Sequence, residues 1–380
     1  GDFKNSRGNR PRKFGRVGCK IHRSSAKRRN RFSRPRKVVI MKAVFLKSFG
    51  KPEQAFEIRE TDKPVCQDTQ VLIKVEAFGL NFADVLARSG MYPETPPTPC
   101  VIGYEVVGRI EEAGKDVPEG NVGKRVVALT RFGGYAEYAA SDYRALAEIS
   151  DDFDASKALA LGTQGTTAYV CFEESMKLYK GDRVLVHAAA GGVGLMLCQL
   201  ALAKGCEVFA TASQAKKLDF LKKMGVQHPI NYKEQDYSEA IKKILKNERL
   251  DATFNSLAGK STKKDLKLLG AGGKFVIFGA ASRVGGSKGI ISGLKLLWQT
   301  GLFSPLTLIM RSKSVIGINI LKLGDYKPQV VAKCMQETVG LAEQGVLKPV
   351  VHATYSVDQL AEAHKALENR GTIGKLAVRW

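Results

Sequence analysis

Residues 183–194 read RVLVHAAAGGVG, and their reading decides the fold. The apolar run Val184–Val186 gives way to small residues and then to a helical pattern from Val193 to Ala203. A buried parallel strand, a tight turn and a helix start in that order form the local unit that binds a dinucleotide. Ala189-x-Gly191-x-x-Gly194 stands where the usual fingerprint has three glycines, and alanine is small enough for the first turn position. Gly191 lets backbone approach a pyrophosphate whose charge the helix N-terminus stabilises, and Gly194 lets helix and strand pack closely. Ala190, Gly191, Gly192, Val193 and Gly194 are therefore expected to bind a cofactor.

The next strand and turn select the cofactor. An NAD site places Asp or Glu about 20 residues beyond the fingerprint to accept from a ribose hydroxyl. The strand from Glu207 ends instead in Thr211-Ala212-Ser213-Gln214-Ala215-Lys216-Lys217, with no carboxylate. A hydroxyl and two ammonium groups suit a 2′-phosphate through charge-assisted hydrogen bonds. Ser213, Lys216 and Lys217 thus point to NADPH.

Further out, strands expected at 183–187, 206–210, 250–254, 274–278 and 313–320 alternate with helices at 193–204, 214–223, 235–247 and 260–270. That alternation describes a doubly wound parallel sheet. A helix is expected over Gly165–Leu178. From 41 to about 163 the texture is β: Val71–Phe78, Val101–Ile110, Arg125–Leu129, Tyr135–Ala140 and Tyr143–Ala147, with connections mostly too short for parallel crossovers. The chain ends with a helix around Pro328–Gln344, a strand at Val350–Tyr355, a helix at 358–369 and a strand at Gly374–Val378. The expected class is α/β: a barrel-like, mostly antiparallel domain (41–164) and a Rossmann domain (165–320), which is an insertion if the closing segment 321–380 rejoins the first.

Composition sets the remaining bounds. The formal charge is +23, but residues 1–40 hold fifteen Lys/Arg and one acid, Asp2, so this stretch alone carries +14. It has no apolar stripe and reads as a disordered basic tail. Met41 stands just before the first strand-like segment, which favours sequence upstream of a true start over an organelle presequence or a nucleic-acid arm. Nucleic acid is not an expected partner. Seven cysteines without a CxxC pair suit a reducing compartment. The apolar stretch 290–310 is broken by Lys295, Gln299 and Pro305, and reads as a core helix rather than one lying on a bilayer. The histidines are scattered and none pairs with a cysteine at ligand spacing, so no metal is expected.

Several motifs occur in order: Gly79-Leu80-Asn81-Phe82-Ala83-Asp84, Arg88-Ser89-Gly90-Met91-Tyr92-Pro93, Pro99–Gly108, Gly133-Gly134-Tyr135-Ala136-Glu137-Tyr138, Ala188–Gly194 and His228-Pro229-Ile230-Asn231-Tyr232. Through them residues 41–380 resemble the medium-chain dehydrogenase/reductase superfamily and, within it, the zinc-free quinone oxidoreductases. His228–Tyr232 and the Trp-containing segment after 290 are similar to the vesicle amine transport protein group of that subfamily. Zinc-containing relatives place a cysteine near the position of Asn81 and a histidine between Gly103 and Glu105. This chain has Asn81 and Tyr104 there.

The resemblance implies that 321–380 rejoins 41–164 in a barrel-like catalytic domain around the inserted Rossmann domain, and that Asn81, Asp84 and Tyr92 line the substrate side, with Asn81 orienting a carbonyl oxygen. It implies that Thr167 flanks the nicotinamide and that Phe278 ends the strand passing its ribose. Ser213, Lys216 and Tyr232 match the 2′-phosphate end, and Lys375 matches a terminal lysine of the family and is expected to bind the cofactor. Phe254–Gly259 departs from the family's acidic-Ser-x-Gly run. The activity implied is NADPH-dependent hydride transfer to a quinone or α,β-unsaturated carbonyl, with a proton from water or Tyr92. The alternative is an NADPH-binding vesicle-associated or regulatory protein with little turnover. A homodimer through the strand near Val315–Ile320 and a cytoplasmic location, with peripheral membrane contact left open, complete the expectation.

Overall fold

Alternation of Val71, Ile73 and Val75 builds β3 (Gln70–Leu80) in the computed structural model, which describes residues 39–281, 299–301 and 303–380. The basic tail lies outside these residues except for Val39 and Ile40, the latter opening β1 (Ile40–Leu46). β1 pairs with β2 (Phe56–Asp62) and with β4 (Cys100–Val101).

β3 organises a larger sheet. One of its edges pairs throughout with β5 (Glu105–Ala113), which leads on to β6 (Arg125–Leu129) and β8 (Leu146–Glu148). Its other edge is shared: β7 (Tyr138–Asp142) takes Gln70–Lys74, and the C-terminal strand β16 (Lys375–Arg379) takes Ala77–Leu80. β15 (Val351–Ser356) adds to β16 in parallel, while the other pairings in this sheet are antiparallel. Leu376 lies opposite Leu80, so the register carries Lys375 alongside Asn81.

The second sheet is wholly parallel. Its order is β11 (His228–Asn231), β10 (Glu207–Ala212), β9 (Arg183–Val186), β12 (Leu250–Asn255), β13 (Leu269–Ile277) and β14 (Ser314–Gly317). Counted from β9, this is the 3-2-1-4-5-6 order of dinucleotide-binding folds, in which ligands bind beyond the carboxyl ends of the strands where the order reverses. Here that point lies between β9 and β12. Helices Gly192–Lys204, Ala215–Lys223, Tyr237–Leu245 and Lys260–Leu268 connect the strands, and Val184, Leu185 and Val186 are fully buried between the layers.

Several expected elements are corrected. The single strand at Val101–Ile110 is two, β4 and β5, because Gly103 turns the chain at φ +106 where a side chain would strike Tyr135. Helix Phe82–Arg88 interrupts the all-β texture. The helical stretch expected over Gly165–Leu178 begins at Ala155, where Asp154 caps it by accepting from the Lys157 N–H at 2.9 Å, and ends at Glu174. It contains two π-helical turns, Ala160–Gly165 and Val170–Glu174. β11 was hidden by Pro229, which an edge strand tolerates.

Much of 290–310 lies outside the described residues. Its described helix Pro305–Arg311 is not core: Leu306, Ile309 and Met310 are 71%, 75% and 86% exposed. β14 ends the described sheet, and among the described residues no strand lies beyond it for this helix to cover. Among the described residues no helix is long and apolar enough to cross a membrane.

Candidate functional site

The cofactor turn is built by close backbone contacts. β9 ends at Val186, Ala188 takes φ +48, and Gly191 stands at the N-cap of helix Gly192–Lys204. A Cβ on Gly194 would lie 2.5 Å from the Ala188 carbonyl oxygen and 2.7 Å from the Ala189 Cα, so only glycine lets this helix start so near the strand. The left-handed residue is thus Ala188, one place before the alanine matched to the fingerprint's first glycine. Gly374 donates its N–H to the Ala190 carbonyl at 3.0 Å, which seats the start of β16 against the turn. Backbone donors at a helix N-terminus and a glycine approach fit a pyrophosphate.

At the far end of β10, Ser213 is half-buried and Lys216 is exposed. Lys217 differs from expectation: it is buried, and its ammonium donates to the Arg370 carbonyl at 2.6 Å. Burial first, then Arg370 and Lys233, push its pKa down. Tyr232 follows β11 and donates its N–H to the Ala212 carbonyl at 3.2 Å. Lys216 and Lys217 also lower the pKa of His352, after burial, so this histidine shares their field. With no carboxylate from Thr211 to Lys217, the cationic end fits a 2′-phosphate through Lys216 and Ser213.

Beneath the switch point lies a buried polar network that sequence reading missed. His187 bonds Thr211 Oγ1 at 3.0 Å through Nδ1, and both Asp265 oxygens at 3.0 Å through Nε2. Asp265 also accepts from the Tyr237 hydroxyl at 2.7 Å and from Asn255 Nδ2 at 2.5 Å. Asn255 Oδ1 in turn accepts from the Leu257 and Ala258 N–H groups, shaping the loop after β12, and its carbonyl accepts from Phe278 N–H. The acid of this network, Asp265, comes from helix Lys260–Leu268 and not from Phe254–Gly259.

The substrate-side residues cluster where β3 ends. Asn81 caps helix Phe82–Arg88 and donates its backbone N–H to Asp84 Oδ2 at 2.7 Å. Its Nδ2 donates to Glu105 Oε1 at 2.8 Å, while its Oδ1 accepts from Lys375 Nζ at 3.1 Å and Gln164 Nε2 at 3.2 Å. Glu105 and Lys375 are fully buried and form an ion pair, and Glu105 Oε2 accepts from the Thr163 N–H in the first π-helical turn. Burial pushes Asp84 up to about 7, opposed by the Asn81 N–H and the Lys375 ammonium. Tyr92 packs edge-on to Tyr104 with ring centroids 5.9 Å apart, and burial pushes its hydroxyl up to about 12.

The structure thus brings Asn81, Asp84 and Lys375 together, but it sets the Lys375 side chain on Asn81, Glu105 and the Leu80 carbonyl, while only its neighbour Gly374 meets the cofactor turn. Thr167 is buried and donates to the Thr163 carbonyl at 2.6 Å. Glu105 and Gln164 were not anticipated. The signal for Glu105 was a charge opening the apolar run Val106–Val107. Gln164 joins the two halves: its amide bonds Asn81, and its Oε1 and Cδ would lie 1.8 and 2.0 Å from a Cβ on Gly192. Among the described residues no group of three or more His, Cys, Asp or Glu side chains could hold a metal ion.

Comparison with known proteins agrees with this architecture. The alcohol dehydrogenase GroES-like domain matches residues 67–151, and the zinc-binding dehydrogenase domain matches residues 192–337. The chain belongs to the medium-chain dehydrogenase/reductase superfamily and to its zinc-independent quinone oxidoreductase branch. It is 32% identical over 341 residues to the quinone oxidoreductase of Homo sapiens, covering 89% of this chain and 98% of that one. It is 33% identical over 341 residues to the synaptic vesicle membrane protein VAT-1 homolog of Danio rerio, covering 89% and 69%. Among solved structures, Escherichia coli quinone oxidoreductase complexed with NADPH superposes with a TM-score of 0.77 at 26% identity, covering 89% of this chain and 100% of that one. The human VAT-1 homolog-like protein superposes with a TM-score of 0.76 at 29% identity, covering 90% and 98%.

Proposed function

We propose that this protein is an NADPH-dependent oxidoreductase that reduces a quinone or an α,β-unsaturated carbonyl without a metal. The observation that carries the reading is Gln164, whose side chain spans from the cofactor turn at Gly192 to the substrate-side amide of Asn81. NADPH supplies the hydride when bound. Ala190–Gly194 would hold its pyrophosphate, Ser213, Lys216 and Tyr232 its 2′-phosphate, and Thr167 and Phe278 would flank its nicotinamide. Asn81 would donate to the substrate oxygen, with Asp84 behind it and Tyr92 or water as the proton source. Lys217 would act through the Arg370 carbonyl rather than by touching phosphate. In this reading residues 41–164 and 321–380 form the catalytic part around a cofactor part at 165–320.

A stopped-flow screen of NADPH oxidation against quinones and enals tests the reading, with cofactor binding measured in parallel. Oxidation is expected. Tight binding without turnover would favour the second reading, an NADPH-binding vesicle-associated or regulatory protein, of which the synaptic vesicle membrane protein relatives support the vesicle association alone. Lys216→Ala should weaken NADPH about tenfold, the scale of one charge-assisted bond, and leave NADH unchanged. Equal losses would make Lys216 a solvated side chain.

A homodimer is part of the proposal. β14 ends the described parallel sheet, and helix Pro305–Arg311 beside it is apolar and exposed. A monomer mass by light scattering at micromolar concentration would count against it. All six described cysteines are free, which supports a reducing, cytoplasmic location. Peripheral contact with vesicle membranes belongs to the second reading.

A further inference from the structure

We propose that the buried Lys375–Glu105 pair is a positioning device that fixes the Asn81 amide with its N–H as donor to the substrate oxygen. This rests on the reading of Asn81 as the group that orients the carbonyl. A primary amide has two faces that differ little in shape, an acceptor oxygen and a donor NH2, and its surroundings choose between them. At Asn81 the oxygen faces the Lys375 ammonium at 3.1 Å and the Gln164 NH2 at 3.2 Å, while the nitrogen faces the Glu105 carboxylate at 2.8 Å. Turning the amide over would set NH2 against ammonium and oxygen against carboxylate. In a buried site of low dielectric both contacts are strongly repulsive. The ion pair therefore leaves the amide one orientation. One of its two N–H hydrogens serves Glu105, and among the described residues the other has no partner.

The surroundings are shaped for the pair. Gly79 in β3 has no room for a side chain: its Cβ would lie 2.3 Å from Glu105 Oε1 and 2.5 Å from Lys375 Cε. Glu105 Oε2 is held by the Thr163 N–H at 2.5 Å, and Lys375 Nζ donates to the Leu80 carbonyl at 3.1 Å. Both charges are thus anchored by backbone independently of Asn81. A buried ion pair contributes little net stability, because desolvation offsets its attraction. Orientation of a neighbour is a use that the same geometry serves well.

The test is the charge-neutral double variant Lys375→Met/Glu105→Gln, which keeps the volume and leaves no unpaired charge, compared with Asn81→Ala in the full chain with 1,4-naphthoquinone as acceptor. Removing a preorganised donor at a developing oxyanion lowers kcat by about a hundredfold or more. That loss is expected for Asn81→Ala, and at least about a tenfold loss for the double variant. The melting temperature should stay near the parent's, with NADPH affinity and acceptor KM within about twofold, since only transition-state stabilisation is lost. If the double variant folds poorly, Lys375→Gln/Glu105→Gln, which is also free of unpaired charge and offers the Leu80 carbonyl a donor again, is measured in its place, with a fall in kcat at unchanged KM expected.

The outcomes separate the two ideas. No loss in Asn81→Ala, or no NADPH oxidation by the parent, overturns the reading of Asn81 and the proposal with it. A loss in Asn81→Ala beside parent-like turnover in the double variant overturns the positioning role alone. A drop in NADPH affinity of the double variant with kcat intact would make Lys375 a cofactor contact and also overturn it.

Discussion

Two buried polar clusters flank the cofactor turn, and they differ in how completely their hydrogen-bonding capacity is used. Under the parallel sheet, both nitrogens of His187, both oxygens of Asp265, and both ends of the Asn255 amide are bonded within the protein, and only the flanking Thr253 and Thr262 hydroxyls lack a partner among the described residues. At the end of β3, the Lys375–Glu105–Asn81 core is similarly tied, but Gln164 Oε1, Thr163 Oγ1 and the Tyr104 hydroxyl, all buried, lack a partner among the described residues. Buried polar atoms are normally satisfied, because each one left alone costs free energy. A closed network reads as scaffold. An open one, in a fold whose strand ends mark a ligand crevice, reads as a site completed by what it binds.

The sharpest way to break that contrast is at Asp265. Alanine there leaves His187 Nε2 without its acceptor and the Tyr237 hydroxyl and Asn255 Nδ2 with only their Ser261 contacts, and an expected loss of about 3–5 kcal/mol follows from removing one partner of a buried charged network. Urea denaturation measures it. Turnover of the remaining folded enzyme at saturating NADPH should change little. A loss below about 1 kcal/mol would erase the distinction between the clusters, being the size of an ordinary exposed substitution.

Asp84 sharpens the comparison by pH. Its carboxyl is held at about 7 in the folded protein against an ordinary 3.8, with burial the main cause. Between these values the folded state binds the proton and the unfolded state does not, so Asp84 lowers stability as pH rises from about 4 to 7. The full cost is on the order of 4 kcal/mol for a shift of about three units. His364, pushed down to about 3 by burial, works the other way: its contribution is lost as pH falls from about 6.5. The difference between parent and Asp84→Asn therefore isolates the carboxyl, since asparagine can still accept the Asn81 N–H. The variant should match the parent near pH 4 and exceed it above pH 7. A constant difference across that range would place the titration elsewhere.

The cofactor half was more legible than the substrate half, for a physical reason. A turn such as 183–194 is local: strand, glycines and helix start stand within twelve residues, and each position has a steric role visible in its residue type. The parallel class followed from alternation alone, although short β11 with Pro229 escaped it. Asn81 and Asp84 were legible as a motif, but not their company. Lys375 and Glu105 lie 270 residues apart, and the antiparallel registers of β16 and of β5 on the two edges of β3 bring them together. Asp265 was hidden in the lysine-rich run Lys260–Leu268, whose composition suggests a solvated face. Its spacing with Thr262 and Leu268 was the available signal, since residues three apart share one side of a helix and all three are buried.

The smallest effect tests the joint between the clusters. Gly192 opens helix Gly192–Lys204 in an ordinary helical position, so alanine there meets no backbone penalty; the atoms nearest its Cβ would all belong to the Gln164 side chain, with Oε1 1.8 Å away. Gly192→Ala should thus act by displacing Gln164 and releasing its bond to Asn81. Gln164→Ala should itself be nearly neutral for stability, because one end of its amide is already unsatisfied and its other bond is a single 3.2 Å contact. In the Gln164→Ala background the added methyl then finds space. A double-mutant cycle in thermal stability and in kcat should show a coupling of about 1 kcal/mol, with the Gly192→Ala penalty largely gone in the double variant. Additive effects would mean that Gly192 is required by the cofactor directly, and that Gln164 does not join the two halves of the site.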